Sequence, residues 1–114
     1  MSPDLVRHFF KVFGNDPENP PRNLCNFYGS TEMIDVTYSV FTSISNLEKQ
    51  LDKNGKVPIG KPIFNSSTYV LDEQMQPVTL GNVGQMYISS ANLCDGYVGT
   101  KHSSFQLNKV HYSY

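Results

Sequence analysis

The sequence has no apolar run longer than three residues, and its charged residues are few and nearly balanced. A transmembrane helix needs about 20 consecutive apolar residues, and a secretory signal needs a contiguous apolar segment near the N-terminus. We therefore expect neither, and we expect a cytoplasmic protein with no membrane partner. With 17% charged residues and a net charge of −1, the chain also lacks the basic stripe that binding to nucleic acid requires.

Cysteine and histidine are sparse as well. Cys25 and Cys94 form no CxxC pair, so we expect reduced thiols rather than a zinc site or a disulfide framework. His8, His102 and His111 fall at no metal-ligand spacing. The serine, cysteine and lysine nucleophiles have no recognisable base partner or elbow sequence around them. Hydrolase chemistry therefore has no support in the sequence.

The first 35 residues predict a helix, a connector and a strand. Ser2 can cap the helix, Pro3 suits its first turn and Gly14 ends it. Its apolar residues recur at helical spacing: Leu5, Val6, Phe9, Phe10 and Phe13. Three prolines make residues 15–22 an extended surface connector, and residues 24–28 form a short, buried strand. We interpret this order as one αβ unit of an open sheet.

The rest of the chain predicts mostly β-structure. Residues 36–41 alternate as in a strand with one buried face. Ser45 and Glu48 match a capping box that would begin a short helix. The other predicted elements are a stiff crossing segment at residues 58–62 and strands at residues 67–71 and 85–89. We expect a twisted sheet or partial barrel in this half.

The segment with the most chemical character is residues 26–32, which follow the first predicted strand. Gly29 would allow a ligand close to the backbone, Thr31 can donate to a phosphate oxygen, and Glu32 offers the single carboxylate that Mg²⁺ often takes beside phosphates. Tyr28 could stack on a base. Composition alone favours the alternative, an ordinary turn with polar residues in solvent, since short motifs match by chance often.

Three motifs give the chain a family resemblance. The sequence NFYGSTE at residues 26–32 resembles the NxYGPTE motif of adenylate-forming enzymes, specifically nonribosomal peptide synthetase adenylation domains. The sequence VPIGKP at residues 57–62, with YVLD at 69–72, is similar to the VPIGRP…YVLD segment of that family. The sequences GQMYI at 84–88 and LCDGY at 93–97 resemble its GELYIGG…LARGY block. Three motifs in this order are far more specific than one, and they favour the nucleotide site over the plain turn.

The resemblance implies an α/β fold that forms part of the large N-terminal domain of an adenylate-forming enzyme. Residues 1–35 would lie at the end of an αβ-layered sheet subdomain. Residues 36–100 would form a β-rich, distorted-barrel subdomain, and residues 101–114 an irregular tail. The implied reaction joins a carboxylic or amino acid to ATP as an acyl-adenylate and passes the acyl group to a carrier thiol. ATP, Mg²⁺ and the phosphopantetheine of a partner carrier domain are the implied cofactors.

The resemblance also implies roles for single residues. Those expected at ATP are Tyr28 along the adenine, Gly29 and Ser30 in the loop around it, and Thr31 on a phosphate. Glu32 would hold Mg²⁺ and act in catalysis together with Thr31. Those expected in the acyl pocket are Phe27, Asp35 and Val36. The run DVTY at residues 35–38 is similar to ebony-type synthetases that activate β-alanine, and there Asp35 could pair with a substrate ammonium or equally be a solvated loop carboxylate.

The chain departs from the family pattern at three positions. Ser30 stands in place of proline, Gln85 in place of glutamate and Asp95 in place of arginine or lysine. The family's phosphate loop, ribose-binding aspartate and catalytic lysine have no counterpart in these residues. We therefore expect the isolated chain to be inactive in adenylation and poorly soluble. Two alternatives stay open: a non-catalytic truncated paralogue or remnant that serves as a structural or interaction module, and an enzyme that uses coenzyme A in place of a carrier domain.

Overall fold

The computed structural model describes residues 1–14 and 22–105. The elements in these ranges are α1 (Pro3–Phe13), β1 (Leu24–Tyr28), β2 (Thr37–Phe41), α2 (Ile44–Gln50), β3 (Lys61–Pro62), β4 (Ser66–Leu71) and β5 (Gln85–Ser90). This mixture of helices and strands confirms the predicted α/β class. The predicted connector, apart from Arg22, and the part of the tail after residue 105, which includes His111, lie outside the described residues.

Helix α1 begins and ends where the sequence predicted. The Ser2 side chain accepts a hydrogen bond from the amide of Leu5 at 3.2 Å, and Gly14 closes the last turn. Only part of the apolar face is covered, because Val6 and Phe10 are buried while Leu5 and Phe13 are exposed. The buried stripe is thus narrower than the spacing predicted.

The main apolar core lies between the two helices and β2. Val6 and Phe10 of α1 pack with Phe41 of β2 and Leu47 of α2. Partly buried apolar side chains surround this cluster: Phe9, Leu24, Ile44, Leu51 and Val57. Burial of one large apolar side chain contributes about 1.5–3 kcal/mol, so this cluster is what fixes the helices against the sheet.

The prediction that Ser45 caps α2 is wrong. The cap is Ser43, whose hydroxyl accepts a hydrogen bond from the Asn46 amide at 3.0 Å, and the helix begins at Ile44. Ser45 therefore lies inside the first turn. Glu48 does not reach back to the cap either, because its carboxylate accepts from the Arg7 guanidinium of α1 at 2.8 Å.

The first three strands form an antiparallel sheet in the order β1-β2-β3. Alternation along β2 is confirmed, since Thr37, Ser39 and Phe41 are buried and the residues between them are only partly covered. The prediction that β1 is buried is wrong. Among the described residues it pairs with β2 alone, and most of its side chains are exposed.

The segment before β3 lies against the buried polar side chains of this sheet. The Thr37 hydroxyl donates to the Ile59 carbonyl at 2.7 Å, and the Ser39 hydroxyl donates to the Pro58 carbonyl at 3.1 Å. Gly60 follows at a φ of 90°, and a Cβ there would lie 1.9 Å from the Tyr38 carbonyl oxygen. The predicted crossing segment at residues 58–62 therefore ends in the short strand β3. A glycine at position 60 is what allows this segment to lie so close to β2, because any side chain there would collide with the β2 backbone.

The two strands predicted at residues 67–71 and 85–89 are present as β4 and β5, and they form a separate antiparallel pair. The Asp72 carboxylate accepts hydrogen bonds from the amides of Gln74 and Gln76, at 2.9 and 2.8 Å, and so stabilises the turn after β4. The described residues supply two sheets and do not close a barrel by themselves. The two expected subdomains, residues 1–35 and 36–100, are joined by the pairing of β1 with β2. The division between them stays a prediction.

Candidate functional site

The loop between β1 and β2, residues 29–35, is a tight turn that carries most of the predicted site. The Val36 amide donates to the Tyr28 carbonyl at 2.8 Å and closes the hairpin. Within the loop, the Ser30 amide donates to the Met33 carbonyl at 2.9 Å. Met33 is 2% exposed, so its side chain anchors the loop in the interior and leaves the polar residues on the outside.

Gly29 is required at the start of this loop by the close approach of the loop's other end, which the sequence did not predict. A Cβ at this position would lie 1.5 Å from the carbonyl oxygen of Ile34. Any other residue would therefore force the two ends of the loop apart. Glycine was predicted so that a ligand could approach, whereas in the structure the group that approaches is the other end of the same loop.

Glu32 stands at the outer turn of the loop and is held by three groups. The Ser30 side chain and the Tyr97 hydroxyl both hydrogen-bond its carboxylate, and the Cys94 amide donates to its main-chain carbonyl at 2.9 Å. The pKa of Glu32 lies below its ordinary value, first because of the Ser30 hydrogen bond, then because of a backbone hydrogen bond and the nearby charge of His102. The carboxylate is therefore ionised at neutral pH.

The other predicted site residues lie on or beside this loop, with different exposure. Tyr28 is 42% exposed and Thr31 is also exposed, so both side chains are open to a ligand. Phe27 is exposed too and stacks on Tyr38 of β2, with ring centroids 6.2 Å apart.

Asp35 and Val36 end the loop in opposite environments. Asp35 is exposed, whereas Val36 is fully buried. Ile63 also donates its amide to the Val36 carbonyl at 3.1 Å, which ties this position to the segment after β3. The structure thus places Val36 in the interior packing of the chain, and its part in an acyl pocket stays a prediction.

Two residues of the site were missed by the sequence reasoning, Tyr97 and His102. The ring of Tyr97 packs edge-on against His102, with centroids 5.5 Å apart, and both residues line a cavity of about 390 Å³ in the segment after β5. The only signal for Tyr97 was its place at the end of the third motif. His102 gave none, because it forms no ligand spacing with any other histidine.

The donor set at Glu32 fits one kind of metal ion. Within residues 1–14 and 22–105, no three His, Cys, Asp or Glu side chains lie together as a metal-binding group. Glu32 offers a single carboxylate, and proteins often hold Mg²⁺ through one carboxylate when phosphates and waters supply the remaining ligands. In the part of the chain that the structure describes, the donor set would therefore suit a magnesium ion whose other ligands come from a phosphate-bearing ligand and from water.

Comparison with known proteins decides the family. The sequence model of the AMP-binding enzyme family matches residues 1–98. The chain belongs to this family. The chain is 40% identical over 99 residues to the beta-alanyl-bioamine nonribosomal peptide synthetase ebony of Drosophila melanogaster, a match that covers 86% of this chain and 10% of ebony. It is 35% identical over 88 residues to vanchrobactin synthetase VabF of Vibrio anguillarum, which covers 77% of this chain and 3% of VabF.

A solved structure supports the same assignment for the fold. NpsA-ThdA, an artificially fused adenylation-PCP di-domain from Klebsiella oxytoca, matches with a TM-score of 0.65 at 23% identity. The match covers 86% of this chain and 18% of that one. The predicted resemblance to nonribosomal peptide synthetase adenylation domains is confirmed. The chain spans a tenth or less of the length of ebony and of VabF. No helix in the described residues has the length and apolar character needed to cross a bilayer.

Proposed function

We propose that this chain forms part of the ATP site of an enzyme that activates a carboxylic acid, most simply an amino acid. In the reaction, a carboxylate oxygen of the acid forms a bond to the α-phosphorus of ATP. The bond from that phosphorus to the bridging oxygen breaks, and pyrophosphate leaves with its electron pair. The products are an acyl-adenylate and pyrophosphate. The observation that carries the proposal is the ionised Glu32 carboxylate, held by Ser30 and Tyr97 in the loop that bears the family's NxYGPTE-like motif.

Each loop residue has a role that its environment allows. The exposed Tyr28 ring lies along the adenine, Gly29 and Ser30 shape the turn, and the exposed Thr31 hydroxyl donates to a phosphate oxygen. Glu32 holds Mg²⁺, which when bound neutralises charge on the phosphates. Such chemistry depends mainly on positioning and on charges that are fixed before the reaction, and a loop anchored by buried Met33 provides both.

The acyl side of the site is proposed to accept an acid that also carries an ammonium group. Asp35 is exposed at the end of the loop, so its carboxylate is free to meet a cation from solvent. Phe27 presents an exposed apolar ring on β1, and Val36 is buried within the chain at the end of the loop. The similarity to ebony, a beta-alanyl-bioamine synthetase, favours β-alanine as the first acid to test.

The acceptor is proposed to be the phosphopantetheine thiol of a carrier domain. NpsA-ThdA is an adenylation-PCP di-domain, and ebony and VabF are peptide synthetases, which supports a carrier over coenzyme A. Loading of purified carrier protein against acylation of coenzyme A, both followed by mass spectrometry, separates the two acceptors.

The test of adenylation is ATP–pyrophosphate exchange by the full-length protein that contains these residues. We expect E32Q to lower the exchange rate about 100-fold or more, because the neutral amide is a poor ligand for Mg²⁺. The matched control is E73Q, since Glu73 is exposed in the turn after β4, far along the chain from the loop. Equal rates for wild type and E32Q, or no exchange with any amino or aryl acid, would contradict the proposal. A protein without exchange would instead be the non-catalytic module.

A further inference from the structure

Glu32 accepts hydrogen bonds from one short segment, residues 94–97, through both its side chain and its main chain. The Tyr97 hydroxyl donates to the Oε1 atom of its carboxylate, and the Cys94 amide donates to its carbonyl oxygen at 2.9 Å. The main-chain bond fixes where the loop lies. The side-chain bond fixes which way the carboxylate points, so the two together define the position of the charged atoms.

Tyr97 is itself held in place by aromatic contacts. Its ring packs edge-on against His102 and against Phe105, with centroid distances of 5.5 and 5.6 Å. Edge-on packing is a favoured arrangement of aromatic rings, so these contacts stabilise the half-exposed ring in the position from which its hydroxyl reaches Glu32. An ionised carboxylate has about four lone-pair sites, and hydroxyl donors from Ser30 and Tyr97 leave sites for a cation.

We propose that Tyr97 is a positioning residue for Glu32. The Tyr97 hydroxyl fixes the orientation in which the Glu32 carboxylate would bind a metal ion, and it holds residues 94–97 against the loop at residues 29–35. The inference rests on the proposed function of Glu32 as the magnesium ligand. Tyr97 does not touch the substrate in this role; it acts through Glu32. Loss of the Tyr97 hydroxyl should therefore weaken Mg²⁺ affinity and loosen the loop, and it should change the rate at saturating Mg²⁺ much less.

The first test uses the metal-free protein and measures hydrogen exchange at the Cys94 amide by NMR. We expect Y97F to speed this exchange about three- to tenfold, because a net hydrogen bond of ordinary strength is lost while the ring contacts remain. The control is Y87F on β5, which also removes a tyrosine hydroxyl and should leave the Cys94 amide unchanged. In an E32A background, Y97F should add nothing further, since the two side chains act as one pair.

The second test measures how pyrophosphate exchange by the full-length protein depends on Mg²⁺. Y97F should raise the Mg²⁺ concentration for half-maximal exchange about three- to tenfold and nearly preserve the maximal rate. A role in general folding would lower the maximal rate as well and leave the Mg²⁺ dependence unmoved.

The outcomes separate the two proposals. If Y97F matches wild type in amide exchange and in Mg²⁺ dependence while E32Q abolishes pyrophosphate exchange, the positioning role is overturned and the proposed function stands. If E32Q retains full pyrophosphate exchange, the proposed function fails, and the amide measurement still decides whether Tyr97 holds Glu32.

Discussion

At the scale of single residues, Ser30 has the largest influence on the charge of Glu32. We predict that S30A raises the pKa of the Glu32 carboxyl toward its ordinary value, because a hydrogen bond to the carboxylate favours the charged form. Titration of the carboxyl carbon by NMR measures the shift. Asp52 provides an internal control, since its pKa is lowered chiefly by the amide of Lys56 and should stay the same in S30A. Equal movement of both carboxyls would mean a general change of structure.

The direction of this shift also sets a pH dependence. A carboxyl whose pKa is lower in the folded protein than in the unfolded chain stabilises the fold above its unfolded pKa, about 4.3 for glutamate. That contribution is lost as the pH falls through the lower, folded value. The acid-unfolding curves of wild type and S30A should therefore differ above this range and converge in more acidic solution.

The loop residues could be picked out because their motif is contiguous, whereas the distant partners of Glu32, Cys94 and Tyr97, could not. Tyr97 is 65 positions from Glu32 in the sequence, so no local spacing connects them. The contact depends on how the segment after β5 packs against the hairpin, which periodicity does not encode. Gly29 was predicted to admit a ligand, and the constraint that the structure shows at this position comes from the Ile34 carbonyl.

At the scale of elements, the cap of α2 gives a direct comparison of two serines. We predict that S43A lowers the free energy of unfolding by about 1 kcal/mol, because the Asn46 amide loses its acceptor. S45A should change it by less than about 0.5 kcal/mol, since Ser45 is exposed within the helix. Urea denaturation of both variants measures the difference. A larger loss of unfolding free energy in S45A than in S43A would instead support the capping box that the sequence predicted.

The existence of α2 was predictable, but its first residue was not, for a physical reason. Residues 43–46 and residues 45–48 both begin with serine and end with a side chain able to accept a hydrogen bond. The choice is made by tertiary contacts, since Glu48 pairs with Arg7 of α1 and the Asn46 side chain accepts from the Thr42 amide at 3.2 Å. In the same way, β1 was foreseen as a strand, while its exposure depends on which strands lie beside it.

At the scale of the whole molecule, several apolar side chains of the described chain are almost fully exposed. The most exposed are Leu80, Val83, Val98, Phe64 and Ile34. An apolar surface of this kind promotes association. We predict that the 114-residue chain alone self-associates, and that the double substitution L80S and V83S increases the monomer fraction several-fold in light scattering after gel filtration. The control K53S changes an exposed polar residue and should have no effect, and a wild-type chain that runs as a monomer with a cooperative melt would refute the prediction.

The family and the α/β class could be read from three ordered motifs, whereas the arrangement of the two sheets could not. Strand β2 pairs with β1 and with β3, and neither partner is determined by the residues of β2 alone. Polar contacts such as that between Ser39 and the Pro58 carbonyl fix this arrangement. They arise only when segments distant in sequence meet.

The hydrogen bonds from Cys94 and Tyr97 to Glu32 have a consequence for protein synthesis. Tyr97 is added to the growing chain 65 positions after Glu32, so this hydrogen bond has to wait for a residue that is synthesised much later. The hairpin and the two helices are complete in sequence by Gln50, so all of their residues are present before Tyr97 is added. The contact between the loop at residues 29–35 and residues 94–97 is therefore made only after the residues of the hairpin itself have all been synthesised.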